Sequence, residues 1–325
     1  MGALAPGRLI DVHSHVVTDA YRAACTAAGI VQPDGFPALP PWSAAETLAL
    51  MDAHGIDAAV LSVSSPGMVI DATTDVVALA RGVNDEIAAV VADHPGRFGQ
   101  AAAIPMTEVT AAIAEWRRAR DELGADACGL MTNAAGRYLG DEAFEPLMAE
   151  LDATGAVVIV HPTSPACWQA VSLGRPRPML EFPFDSTRAV SNLLFNGVLR
   201  RYRDIRWVIP HSGGTLAVLG DRLTLFPAML PGVPDDLDVL AELSRLYYDC
   251  AGTAFPRAMP TLASMVGTER LLYGTDFPFA PAAGVEAGAA AVARATLGGA
   301  PATDLFRANG ATLFPRLGSS MEEIR

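Results

Sequence analysis

The stretch Arg8-Leu9-Ile10-Asp11-Val12-His13-Ser14-His15 decides the architecture. In a doubly wound nucleotide-binding sheet, a first apolar strand leads into a Gly-x-Gly-x-x-Gly turn. Here a β-branched run over 8–12 leads into His-Ser-His instead. Seven further runs of the same kind follow, at 58–63, 98–104, 127–131, 156–160, 207–210, 246–250 and 271–275. Segments with apolar residues three and four apart separate them, at 44–54, 74–93, 108–123, 141–154, 186–202, 215–227, 257–266 and 285–297. Ser43 with Glu46 three residues later forms a capping box, and Gly55, Gly124 and Gly155 stand just past helix ends. Eight strand–helix alternations predict an α/β chain folded as one (β/α)8 TIM barrel over 1–325, with an open sheet as the competing architecture. The connections at 16–42 and 162–185 are long and rich in proline and aromatic residues, which marks them as lids over the barrel mouth. A last helix at 303–314 closes the bottom or side.

Composition removes several functions. The 23 basic residues are all arginine, with no lysine, against 36 acidic residues, for a net charge of −13. Schiff-base chemistry, the usual P-loop phosphate contact and a carboxylated lysine bridging two metals are therefore absent. Scattered arginines on an acidic chain argue against nucleic acid or an anionic membrane as partner. Cys25, Cys128, Cys167 and Cys250 form no CxxC or CxxH pair, as expected of a reduced chain. The opening Met-Gly-Ala-Leu-Ala-Pro carries no signal-peptide pattern and no myristoylation serine, and no apolar run approaches a membrane span. A cytoplasmic protein is the expectation.

On this strand assignment, His13 and His15 follow the first strand, His161 the fifth, His211 the sixth and Asp276 the eighth. A barrel gathers strand C-termini at one mouth, where barrel enzymes do their chemistry. His54 and His94 fall at helix ends, where the dipole favours them. In His-x-His on an extended strand both rings share a face, with Cα atoms about 7 Å apart. With His161 and Asp276 they make a nitrogen and oxygen donor set for one divalent ion, zinc first and manganese second. Barrels with two metals carry a bridging carboxylate at the end of strand four. Here that strand reads Ala127-Cys128-Gly129-Leu130-Met131-Thr132-Asn133, so a single ion is expected.

The segments Ile10-Asp11-Val12-His13-Ser14-His15, Val160-His161-Pro162, Ile209-Pro210-His211-Ser212-Gly213-Gly214 and Tyr273-Gly274-Thr275-Asp276-Phe277-Pro278 resemble the amidohydrolase superfamily. The similarity is to its amidohydrolase-related branch, which includes aminocarboxymuconate-semialdehyde decarboxylase and nonoxidative aromatic acid decarboxylases. The runs Gln32-Pro33-Asp34-Gly35-Phe36-Pro37, Pro41-Trp42-Ser43 and Ser62-Val63-Ser64-Ser65-Pro66-Gly67 resemble 6-methylsalicylate decarboxylases in particular. The resemblance implies His13, His15, His161 and Asp276 as metal ligands, His211 as acid/base or polarising group, and a homodimer. Where the semialdehyde decarboxylase has a carboxylate-holding arginine, alignment on Trp42 puts Thr47, which favours an aromatic acid as substrate.

The expected reaction is loss of carbon dioxide from a hydroxybenzoate, with Asp276 as proton carrier and His211 fixing the hydroxyl. Trp42, Phe184 and Phe279 are candidate walls for a flat ring, and Arg188 and Arg257 candidate steering charges. Asp11 and Ser14 are expected outside the site, and Asp249 either holds a ligand histidine or caps a loop. A hydrolase of an amide, lactone or ester would use the same ligands, with an activated water and His211 as base. A ligand-binding barrel with a degenerate site is the third alternative.

Overall fold

Each apolar run overlaps a strand. In the computed structural model, which describes residues 8–319, these are β1 (Ile10–His15), β2 (Ala58–Ser62), β3 (Phe98–Ala103), β4 (Ala127–Met131), β5 (Val157–His161), β6 (Arg206–Ile209), β7 (Tyr247–Asp249) and β8 (Leu271–Leu272). They pair in parallel in chain order. Bridges Asp11–Tyr273 and Ser14–Phe277 join the last strand region to the first, with the Val12 N–H donating to the Tyr273 carbonyl at 3.0 Å. This seam decides for the barrel over the open sheet. Met-Gly-Ala-Leu-Ala-Pro, read above for leader and acylation signals, lies outside the described residues.

The helices are α1 (Asp19–Ala27), α2 (Ala44–His54), α3 (Val76–Asp93), α4 (Val109–Asp121), α5 (Glu145–Ala153), α6 (Glu181–Phe195), α7 (Leu216–Leu223), α8 (Val239–Ser244), α9 (Ala258–Val266), α10 (Ala282–Arg294) and α11 (Ala302–Leu313), with shorter turns between them. At α2 the Ser43 hydroxyl accepts from the Glu46 N–H at 3.2 Å, and Gly55 ends the helix at φ +66°. The helices differ from the sequence expectation in several places. The first long loop holds α1, and the connection from α7 to β7 holds α8. α6 begins five residues before the expected 186, because Pro183 falls in its first turn, where no N–H is needed. No helix among the described residues is long and apolar enough to cross a membrane.

The barrel interior is filled by Ile10, Val12, Ala58, Val60, Ala101, Val157, Ile159 and Val208, and is capped by Leu313, Phe314 and Leu317 from α11 onward. One irregularity positions the chemistry. Along β1, Asp11 pairs with Ala59 and Ser14 with Leu61, so three residues on β1 span two on β2. This one-residue bulge breaks strict alternation. Val12 faces the interior below it, and His13 and His15 also turn inward above it. Gly274 makes room: a Cβ there would stand 2.9 Å from that of His13.

Candidate metal centre

The ends of three strands bring the four donors together. His13 Nε2 lies 3.1 Å from His15 Nε2 and 3.6 Å from Asp276 Oδ1, and His15 Nε2 lies 3.1 Å from the same oxygen. His161 completes the group, with all four donor atoms within 4.8 Å of one another. Ligands at bonds of about 2.0–2.2 Å from one ion stand roughly 3–3.5 Å apart around it, so the spacing fits a single ion.

The opposite ring nitrogens are already in use. His13 Nδ1 meets Asp249 Oδ2 at 2.8 Å, His15 Nδ1 meets the Ser62 hydroxyl at 3.1 Å, and His161 Nδ1 meets the Pro162 carbonyl at 2.7 Å. Each outer oxygen holds the proton on Nδ1 and leaves the Nε2 lone pair facing inward, the tautomer that a metal needs. The donor chemistry therefore suits a divalent cation. These four form the metal-competent group among the described residues.

Charge follows the same logic. Burial opposes a charge on His13, but Asp249, with Asp276 and Asp11, outweighs it and raises the imidazole to about 9. His15 and His161 are lowered, chiefly by burial. Burial would raise Asp276, yet hydrogen bonds with His15 and His211 hold it well below the usual carboxylate range. His211 Nε2 sits 3.7 Å from Asp276 Oδ2, and its Nδ1 is buried without a partner.

A cavity of about 340 Å³ opens onto His161, His211 and Asp276. Phe279 is one wall, its ring 5.4 Å from that of His15, and Phe182 another, 6.0 Å from His161. Phe36 lies 5.4 Å from Phe279 and helps to roof the space. Two ring candidates are corrected. Phe184 is 43% exposed and lines none of this cavity, because two residues along α6 rotate a side chain by about 200° away from Phe182. Trp42 is half-buried against the outer core, just before the α2 cap, and is also absent from the walls. Arg188 is half-exposed and lies 3.7 Å from Asp185, and Arg257 is exposed at the start of α9. Among the described residues, no arginine lines the cavity.

A family model described as amidohydrolase matches residues 10–316. The chain belongs to this amidohydrolase family. It is 36% identical over 321 residues to a 6-methylsalicylic acid decarboxylase of Aspergillus aculeatus, covering 95% of this chain and 96% of that one. Among solved structures it is similar to one named amidohydrolase II, with 30% identity, a TM-score of 0.88, and coverage of 94% and 99%. A dihydroxybenzoic acid decarboxylase of Polaromonas with bound manganese and 2-nitroresorcinol matches with a TM-score of 0.81 over 95% and 97% of the chains. Its 22% identity makes that a likeness of fold alone.

The amidohydrolase's His211-Ser212-Gly213-Gly214 turn has four consecutive positive φ angles, 54°, 56°, 73° and 63°. A Cβ on Gly214 would stand 2.3 Å from the Pro183 carbonyl oxygen, so glycine alone lets the turn pack under α6. Asp249 is the polar residue that sequence reasoning left undecided. Fully buried, it holds His13 and also accepts the backbone N–H groups of His211 and Ala251 at 2.9 and 3.0 Å. Asp11 accepts from the His13 and Thr275 N–H groups and the Thr275 hydroxyl, tying the seam outside the site as expected. Phe36, Phe182 and Ser64 were missed. Their signals were the Asp-Gly-Phe and Ser-Val-Ser-Ser motifs and the aromatic content of the fifth loop.

Proposed function

We propose that this amidohydrolase removes carbon dioxide, without oxidation, from a small hydroxybenzoic acid of the 6-methylsalicylate kind. The cavity carries the reading: it has aromatic walls, opens onto an ion-competent donor set, and among the described residues offers no guanidinium to the substrate carboxylate. A guanidinium would stabilise the carboxylate of the ground state and lose that bond as neutral carbon dioxide forms, which raises the barrier. The 36% identity to a 6-methylsalicylic acid decarboxylase supports the substrate class.

His13, His15, His161 and Asp276 would hold one divalent ion, zinc first and manganese second, which when bound supplies Lewis-acid and template chemistry to neighbouring substrate oxygens. Direct loss of carbon dioxide would leave an aryl carbanion, too basic to form at neutral pH. A proton therefore reaches the ring carbon first. Asp276 is the carrier: ionised at rest, it takes up a proton from solvent once substrate is bound, and that O–H breaks as the ring C–H forms. The bond to the carboxylate then breaks, and its electron pair restores the aromatic ring. His211, 3.7 Å from Asp276, holds the phenolic oxygen, and solvent returns one proton per turnover.

The test is to incubate the metal-loaded protein with 6-methylsalicylate in deuterated water. Carbon dioxide and a cresol carrying one deuterium at the former carboxylate carbon are expected. Lactone or amide turnover with no carbon dioxide from any hydroxybenzoate would overturn the reading. Metal analysis after purification without added metal identifies the ion.

A further inference from the structure

The Asp34-Gly35-Phe36 motif has so far contributed only one wall residue. Asp34 is 6% exposed and accepts from the Ser164 hydroxyl. Arg177 Nε donates to the same hydroxyl oxygen at 3.1 Å, its Nη2 lies 3.9 Å from Asp34, and its guanidinium lies over the Trp168 ring at 4.2 Å. These contacts join the first βα loop to the fifth. The loops also meet along the backbone: a Cβ on Gly35, at φ +82°, would stand 3.2 Å from Pro176 Cα. Asp34 itself takes a left-handed φ of 50°, a conformation that aspartate tolerates and that surrounding contacts must hold.

On either side of this junction stand the cavity lips. Phe36 follows Gly35, and Pro178 and Met179 follow Arg177. Phe36 packs on Phe279, which packs on His15. A second cavity of about 570 Å³ lies behind, walled by Asp34, Ser164, Trp168 and Arg177 and sharing no lining residue with the first.

We propose that Asp34, Ser164 and Arg177 form a latch that joins the two loops into one lid and holds Phe36 against the substrate ring. The identity of that ring rests on the function proposed above. The latch residues are positioning residues and act through Phe36, so they contribute binding that is equal in the ground and transition states. Loss of such binding raises KM and leaves kcat unchanged.

A double-mutant cycle on steady-state kinetics with 6-methylsalicylate tests this. Asp34→Asn and Arg177→Met should each raise KM about tenfold, with kcat within about twofold. In a Phe36→Ala background, Asp34→Asn should add nothing further. Ser164→Ala serves as a milder variant if either of the others folds poorly. With no substrate present, hydrogen-exchange mass spectrometry should show faster amide exchange at 29–39 in every latch variant. An equal KM penalty with and without Phe36, or unchanged exchange at 29–39, would overturn the latch. If the unaltered protein released no carbon dioxide from any hydroxybenzoate, the function would fall while the exchange experiment still decided the latch.

Discussion

Two sets of strand ends at the same barrel mouth bury polar groups in opposite ways. At β1 and β5, each histidine gives its outer nitrogen to a protein oxygen and leaves the inner one facing other donors within 4.8 Å. At β4 every polar group is answered from within the protein. Thr132, Asn133 and Tyr138 all donate to Asp185, which is completely buried, and the Thr163 N–H donates to the Thr132 hydroxyl at 3.1 Å. Both regions are dense in buried polarity. Only the first is incomplete without a cation, because a buried donor set lacking a partner is costly unless something else binds it. Strand four thus has neither a group to bridge a second ion nor a free donor to offer one.

The largest expected effect comes from breaking the incomplete side. Asp276→Asn removes one of the four donors and the proposed proton carrier together, and turnover should fall by at least ~10²–10⁴-fold. Metal content by mass spectrometry and carbon dioxide release would be followed in parallel. Full turnover with full metal would remove Asp276 from both roles and end the contrast between the two regions.

How much of this was legible beforehand follows from the range of the signals. Apolar runs and three- and four-residue periods are local, and they placed all eight strands. The candidate ligands were legible because a barrel turns position after a strand into position in space. Their inward aim was not, since strict alternation from Val12 would have sent His13 and His15 to the other face. A single extra residue in the pairing, invisible to composition or period, reverses that. The wall residues failed at Phe184 for a related reason: the first turn of α6 lay in what was read as loop, so the rotation between Phe182 and Phe184 was not counted. Asp249 and Asp34 act on residues 236 and 130 positions away, and no local pattern carries such contacts.

An intermediate effect is expected from the support of the ligands. In Asp249→Asn the side chain can present an NH2 group to His13 Nδ1, which would favour the proton on Nε2, the atom that should face the ion. Metal affinity should fall about 10–100-fold, as for other residues that hold a ligand histidine. Competition with a chelator dye measures it. Unchanged affinity would mean that the metal does not depend on the tautomer of His13.

The smallest effect tests the completed side. Tyr138→Phe deletes one donor to Asp185 and should cost about 1.5 kcal/mol of stability, as for other hydrogen bonds to a charged partner, with turnover within about twofold. The cost should depend on pH, and its sign follows from Asp185. Burial raises the carboxyl above its ordinary 3.8, while the hydrogen bonds from Thr132, Tyr138 and Asn133 pull it back. A carboxyl raised in the folded state binds its proton more tightly there than in the unfolded chain. Its ionisation therefore opposes folding, and its contribution to stability declines as pH climbs from that ordinary value through the folded one. Removing the Tyr138 hydroxyl lifts the folded value further and carries the decline to higher pH. The loss relative to the unaltered protein should thus be larger at neutral pH than in acid near that ordinary value, read as the difference in thermal midpoints. A loss that shrank with rising pH, or a fall in turnover without a fall in stability, would show that the end of β4 belongs to the chemistry rather than to the frame around it.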